Sequence, residues 1–307
     1  MPGLRRQFVL PLLFATACAA PSGHDRQPDN AATRLGLPAA SVLPAWAEAL
    51  AAPLPATTFR LLALDDRHRA AHPLGAAVSA VVRERVARHL GCATLVRTAE
   101  QDLAAVPASE RNADAEAIAG AFAAAMAAAP QAIPDDVHTR AEQRFGPAGV
   151  VALVHSVAYA NFQSRLLHGL GLADGPAATR LPMAADAAPP DVPPPERPPT
   201  ANPTTTSLAP ANWTAGAAAD MRSRMERQQR ATPRLPLPAD EQLAQASERE
   251  RGQAARIVWS RFGYGYQPEL TRGWITALHT FYREAKVDPI VENSVFWVVT
   301  RSNDCFY

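Results

Sequence analysis

Two of the three cysteines in this chain of 307 residues, Cys92 and Cys305, stand in the same local pattern. Each follows a run of apolar residues spaced four apart and then a short turn, at the point where a new helix would begin. A sulfur in the first turn of a helix feels the positive end of the helix dipole, which favours thiolate over thiol. A thiolate can attack a peroxide oxygen, and the resulting sulfenic acid needs a second sulfur nearby to be resolved as a disulfide, which C-x-x-C spacing supplies within one helical turn. For Cys92 the competing reading is a small buried hydrophobe, since cysteine is among the most buried residue types. His89, three residues before Cys92, is placed to act as its base if the turn folds back. His68 and His72 follow Asp65-Asp66 at a spacing of four, but two histidines do not close a metal site and Pro73 interrupts the helix. That pair is expected on the solvated surface, and His155, set among valines, is expected as a hydrogen-bonded core residue. Neither G-x-S-x-G, a phosphate loop, a dinucleotide fingerprint nor H-E-x-x-H occurs.

The elements that must hold these residues are helical. Leu74, Val78, Val82, Val86 and Leu90 recur every fourth residue, so one stripe faces a core while Arg83, Glu84, Arg85 and Arg88 stay wet, and Gly91 ends the helix. Ala93–Ala105, Ala113–Ala129 and Asp135–Phe145 read as three further helices. Gly146-Pro147 opens the longest, whose buried face runs from Val150 to Leu166. Downstream, Asp240–Phe262 reads as one helix closed by Gly263, Glu269–Ala285 as another, and Asp288-Pro289 as the start of a third that ends at Ser302-Asn303-Asp304. Laying Cys305 on Cys92 puts Arg301 on Arg88, Val299 on Val86, Val295 on Val82, Val291 on Val78 and Val287 on Leu74. This is an internal repeat of helix, turn and cysteine.

Around these units lie segments of other composition. Residues 1–20 carry Arg5 and Arg6, an apolar run and a small-residue stretch, the three-part form of a secretory signal. Export is therefore expected, to the periplasm or as a membrane-anchored lipoprotein: Cys18 directly after Ala17 resembles an acylated lipoprotein cysteine, with ordinary cleavage nearby as the alternative. Residues 21–40 are expected to be disordered. Eleven prolines between Pro176 and Pro210 exclude a helix ladder there, so 175–238 reads as a linker with one solvated helix over Trp213–Arg230. The chain then divides into repeat 1 over 41–174 and repeat 2 over 239–307, both all-α. Lys+Arg 30 against Asp+Glu 29 provides no excess of positive charge for phosphate, which argues against nucleic acid as a partner.

Val295–Tyr307 resembles the approach to the cysteine motif of the AhpD-like, or carboxymuconolactone decarboxylase-like, all-α family, and Phe145–Leu172 is similar to that family's closing helix. The resemblance implies a thiol peroxidase of the alkylhydroperoxidase type, an antioxidant peroxiredoxin activity with no metal or organic cofactor and a dithiol reductant. Cys305 would be the first cysteine of the pair. In the family a second cysteine lies three residues on, a histidine four beyond that, and a glutamate about twelve before the first cysteine. In repeat 1 those places hold Leu95, Ala99 and Ala80, so Cys92 lacks its family partners. In repeat 2 Asn293 stands at the glutamate spacing and the second cysteine would fall past Tyr307, so a truncated record is expected, inactive as it stands. The resemblance leaves two other readings open: a lactone-decarboxylase-like acid–base enzyme, or a non-catalytic binding or scaffold protein. The partners it implies are a small hydroperoxide or lactone, a dithiol reductant protein, and a second copy in a homo-oligomer.

Overall fold

The computed structural model describes residues 30–130, 132–184, 188–190, 219–220, 222–223, 226, 232–255, 257–285 and 287–302. The expected leader with Cys18, most of the proline-rich stretch, most of the expected helix over Trp213–Arg230, and Cys305 lie outside the described residues, while 219–220, 222–223 and 226 are helical. Among the described residues there are eleven α-helices and no strand, so the chain is all-α as its apolar spacing predicts. In order they are α1 Ala31–Arg34, α2 Ala45–Ala51, α3 Pro55–Ala70, α4 Ala76–Leu90, α5 Ala93–Ala104, α6 Ala113–Ala128, α7 Asp135–Gly169, α8 Glu248–Ala254, α9 Val258–Tyr266, α10 Pro268–Glu284 and α11 Pro289–Ser302.

Helix α4 is central, packed against α5, α6 and α7. Its stripe does what the four-residue spacing requires: Val78, Val82 and Val86 are buried, with Leu74 and Leu90 packed at the margins. Gly91 closes the helix in the left-handed region at φ 68°, a conformation glycine adopts without the penalty of a Cβ. The Cys92 N–H then reaches back to the Ala87 carbonyl at 2.9 Å, and Cys92 becomes the N-cap of α5. Asn112 starts α6 by accepting from the Ala115 N–H at 2.9 Å, with Asp114 and Glu116 in the first turn where the dipole favours them.

Helix α7 is two helices end to end, joined at Gly146, whose φ of 66° breaks the ladder just where Gly146-Pro147 predicts a new start. By length and composition α7 could cross a membrane, but 56% of its most apolar window is buried inside the fold, as in the core helix of a globular protein.

Helix α10 lies antiparallel on α3. At one end the Glu284 carboxylate, itself buried, accepts from the Ala56 and Thr57 N–H groups at 2.8 and 2.7 Å, satisfying orphan donors at the start of α3. At the other end Arg67 of α3 pairs with Glu269 of α10 at 2.9 Å, and the Gln267 amide donates to the Ala148 carbonyl of α7 at 2.7 Å. Ala277 and Ala285 share one apolar core with α2 to α7.

The stretch expected as one helix over Asp240–Phe262 is three pieces: a 3-10 turn at Asp240–Leu243, then α8 and α9. Ser247 restarts the helix with a capping box, its hydroxyl accepting from the Glu250 N–H and the Glu250 carboxylate accepting from the Ser247 N–H. Gly263 does not end α9. A Cβ there would stand 2.7 Å from Thr271 Oγ1, so the glycine serves the close approach of α10.

Candidate functional site

Helices α3, α5 and α7 bring a set of polar side chains into the interior at helical spacing: Asp65 and Arg69 on α3, Asp102 on α5, and Tyr159 and Gln163 on α7. The Arg69 guanidinium clasps Asp102 with two bonds of 2.8 Å and also reaches Asp65 at 3.4 Å and the Ala178 carbonyl at 3.1 Å. Arg83 of α4 donates to the same Asp102 at 2.8 Å. Asp65 in turn accepts from Gln163 Nε2 at 2.5 Å and from the Tyr159 hydroxyl at 3.3 Å. Two guanidiniums thus face two carboxylates largely out of water, Asp102 the most exposed of the four, and Arg83 Nε and Nη1 have no hydrogen-bond partner.

The electrostatics follow. Burial would push the Asp102 carboxyl up, but hydrogen bonds and charge from Arg69 and Arg83 hold it below the usual carboxylate range. Burial drives the Tyr159 phenol well above its ordinary value and the charge of Asp65 adds to this, so it stays neutral and donates. His68 stacks on Tyr159 with ring centroids 4.3 Å apart and planes 5° from parallel. Burial pushes His68 far down, reinforced by His72, His155, Arg83 and Arg67, while burial takes His72 and His155 to about 4. All three rings are therefore neutral at pH 7.

Beside this network is a small pocket with a cavity volume of about 20 Å³, room for little more than a water. Its walls are mainly apolar, from Trp46, Leu61, Leu95, Phe162 and Leu166, and its polar end is Asp65, Arg69, Tyr159 and Gln163. The chain leaving α7 supplies the rim: the Ala178 N–H donates to Thr98 Oγ1 at 2.8 Å, and the Thr94 N–H donates to the Ala173 carbonyl at 2.7 Å. One polar atom at this end lacks a partner. Gln163 is 7% exposed, and its Oε1 is buried with no hydrogen bond.

The residues singled out by sequence fall elsewhere. Cys92 caps α5 as expected, but its side chain is fully buried with Sγ 4.0 Å from the Ala173 carbonyl. Burial raises its thiol pKa despite hydrogen bonds to the Leu95 backbone and to Ser164, so desolvation outweighs the helix start that would favour thiolate. His89 is exposed on α4 and does not meet that sulfur. Leu95, at the family's second-cysteine place, lines the pocket, while Ala99 and Ala80 are buried.

Two expectations are corrected. His68 and His72 are buried, not solvated, because His68 stacks on Tyr159 of α7 on one side and His72 stacks on it 5.6 Å away. Arg83, grouped with the wet charges of α4, is the largest fully buried side chain, drawn in by Asp102. His155 is buried and pairs with Thr271 Oγ1 at 3.2 Å, as its surroundings suggest. Among the described residues no group of three or more His, Cys, Asp or Glu could hold a metal ion. The signal for the network was four-residue spacing of polar residues, Asp65 to Arg69 and Tyr159 to Gln163, inside otherwise apolar helices.

No protein-family model, curated protein or solved structure matches the chain.

Proposed function

We propose that this chain is a degenerate AhpD-like helical protein with a non-catalytic binding or scaffold role, without cysteine chemistry. The sequence of helix, left-handed glycine and N-capping Cys92 supports the family frame. The observation that carries binding over catalysis is the state of the polar end of the α3–α5–α7 pocket. The carboxylates there are matched by guanidiniums, and among the polar side chains that line the pocket the buried atom without a partner is an amide oxygen, which can accept a hydrogen bond but cannot relay a proton. A lactone-decarboxylase-like reaction would need a free acid or base at that end. A peroxidase would need an accessible thiolate, and the buried, proton-retaining Cys92 does not supply one.

Peroxide consumption with a dithiol, measured on the chain and on Cys92→Ser and Cys305→Ser, is expected to show no turnover that depends on either sulfur. Turnover abolished by Cys305→Ser would overturn the proposal and return the function to the thiol.

A further inference from the structure

The chain that leaves α7 stays on the body of the protein as a strap. After the turn ending at Gly175, residues 176–184 run extended across the furrow between α5 and α3. Both sides of the furrow hold the strap by its backbone. On the α5 side Thr98 Oγ1 accepts from the Ala178 N–H at 2.8 Å. On the α3 side Arg69 donates to the Ala178 carbonyl at 3.1 Å, and Asp66 accepts from the Met183 N–H at 3.1 Å. Arg69 also clasps Asp102 of α5, so it bridges the furrow beneath the strap. Leu181 and Met183 pack on the core while Arg180, Pro182 and Ala184 are exposed, the alternation of an extended chain with one face buried.

These contacts read the features by which a folded surface recognises an extended peptide: main-chain bonds hold it and alternate side chains select it. The Ala178 bonds use groups that any peptide carries, and Ala178 walls the small pocket, where only a small side chain fits. Two residues on, Arg180 meets Asp66 Oδ1 at 3.2 Å, and both side chains are partly exposed, so a competing arginine can reach the carboxylate. Among the described residues both partners of Asp66 lie on the strap, which makes this carboxylate a reader of the strap rather than a brace within the helices. The turn before the strap has separate anchors. Thr94 donates to the Leu172 carbonyl at 2.6 Å and Arg97 to the Asp174 carbonyl at 2.8 Å, so the strap can leave while the turn stays.

We propose that the α3–α5 furrow is a docking groove for an extended segment of a partner protein, and that residues 176–184 occupy it in cis as an autoinhibitory strap. The segment it takes has a small residue, an arginine two places on and apolar residues at the third and fifth places, as in Ala178, Arg180, Leu181 and Met183. This rests on the non-catalytic binding reading and gives it a partner class. The probe is a fluorescein-labelled peptide of residues 176–184, followed by anisotropy on the whole chain. Ala178→Pro with Arg180→Glu loosens the strap from its own side, deleting the N–H that meets Thr98 and setting a carboxylate against Asp66, while every groove residue is kept. The loosened chain should bind the peptide with a Kd of about 10–100 μM, and the natural chain about tenfold more weakly because its tethered strap competes. A peptide with glutamate in place of its arginine should also bind about tenfold more weakly. If the double variant loses its helical circular dichroism, Arg180→Glu alone, at a side chain 39% exposed, makes the same comparison. Equal binding to the natural and loosened chains, equal binding of the two peptides, or no binding to a folded loosened chain overturns the proposal. None of these outcomes touches the peroxide assay, which decides the non-catalytic reading separately. A dimer of the natural chain, seen by light scattering and dissociated by the peptide, would put a second copy's strap in the groove and overturn the choice of partner.

Discussion

Helices α4 and α11 have the same apolar stripe in sequence and opposite surroundings in space. On α4, Val78, Val82 and Val86 are enclosed by α5, α6 and α7. On α11, Val291 is 45% exposed, and Ile290 and Phe296 beside the stripe are exposed as well, while Val287, just before the helix, packs against the core. A four-residue period therefore states that a helix has an apolar face, and it does not state that a neighbour covers it. The second difference is polar. Helix α4 contributes Arg83 to an interior ion network, whereas the residue that the repeat lays on it, Phe296, is exposed on α11.

The largest expected break comes from Asp102→Ala, which would strand the Arg83 guanidinium in the interior and leave Arg69 with Asp65 and the Ala178 carbonyl. It should lower the stability measured by urea unfolding by about 3–5 kcal/mol. A loss under about 1 kcal/mol would mean the network is incidental to the α4 core.

Acid should act on the same region next. His72 and His155 titrate at about 4 in the fold against 6.5 when exposed, so the unfolded chain binds more protons between those values. Their contribution is whole above pH 6.5 and falls as pH drops toward 4, by about 2 kcal/mol for each ring at pH 5. The depressed carboxyl of Asp102 adds its own loss only below the ordinary carboxylate pKa, so the two effects occupy separate windows. Urea midpoints at pH 8 and pH 5 measure this, and equal midpoints would contradict it.

The direct test of the two stripes is a matched pair. Val82→Ala should cost about 2 kcal/mol through lost burial and a residual cavity, and Val291→Ala under about 0.5 kcal/mol. Comparable losses would show that α11 is covered in solution. Between the two valines falls Glu284→Gln, which keeps the shape but weakens the acceptor facing the start of α3, at about 1 kcal/mol.

The class of the fold was legible because it depends on periodicity, and helix ends were legible where one residue type dictates them, as at Gly91, Asn112 and Gly146-Pro147. The interior network was not. Arg83 carries a charge, and a single sequence assigns charges to the surface; only the partner on α5, nineteen residues away, makes its burial tolerable. Likewise nothing local to Gln163 announces that Asp65, far earlier in the chain, orients its amide. The cysteines drew the eye because their chemistry is intrinsic, yet what decides reactivity at Cys92 is desolvation, a property of everything packed around it.

Glu284 completes the first turn of a helix that starts 228 residues before it. While the polypeptide is being synthesised, Ala56 and Thr57 emerge early and their amide hydrogens face water until Glu284 has left the ribosome. Helix α3 is thus finished well after its own residues are made, and a nascent chain arrested before that glutamate would hold α3 with a frayed leading edge.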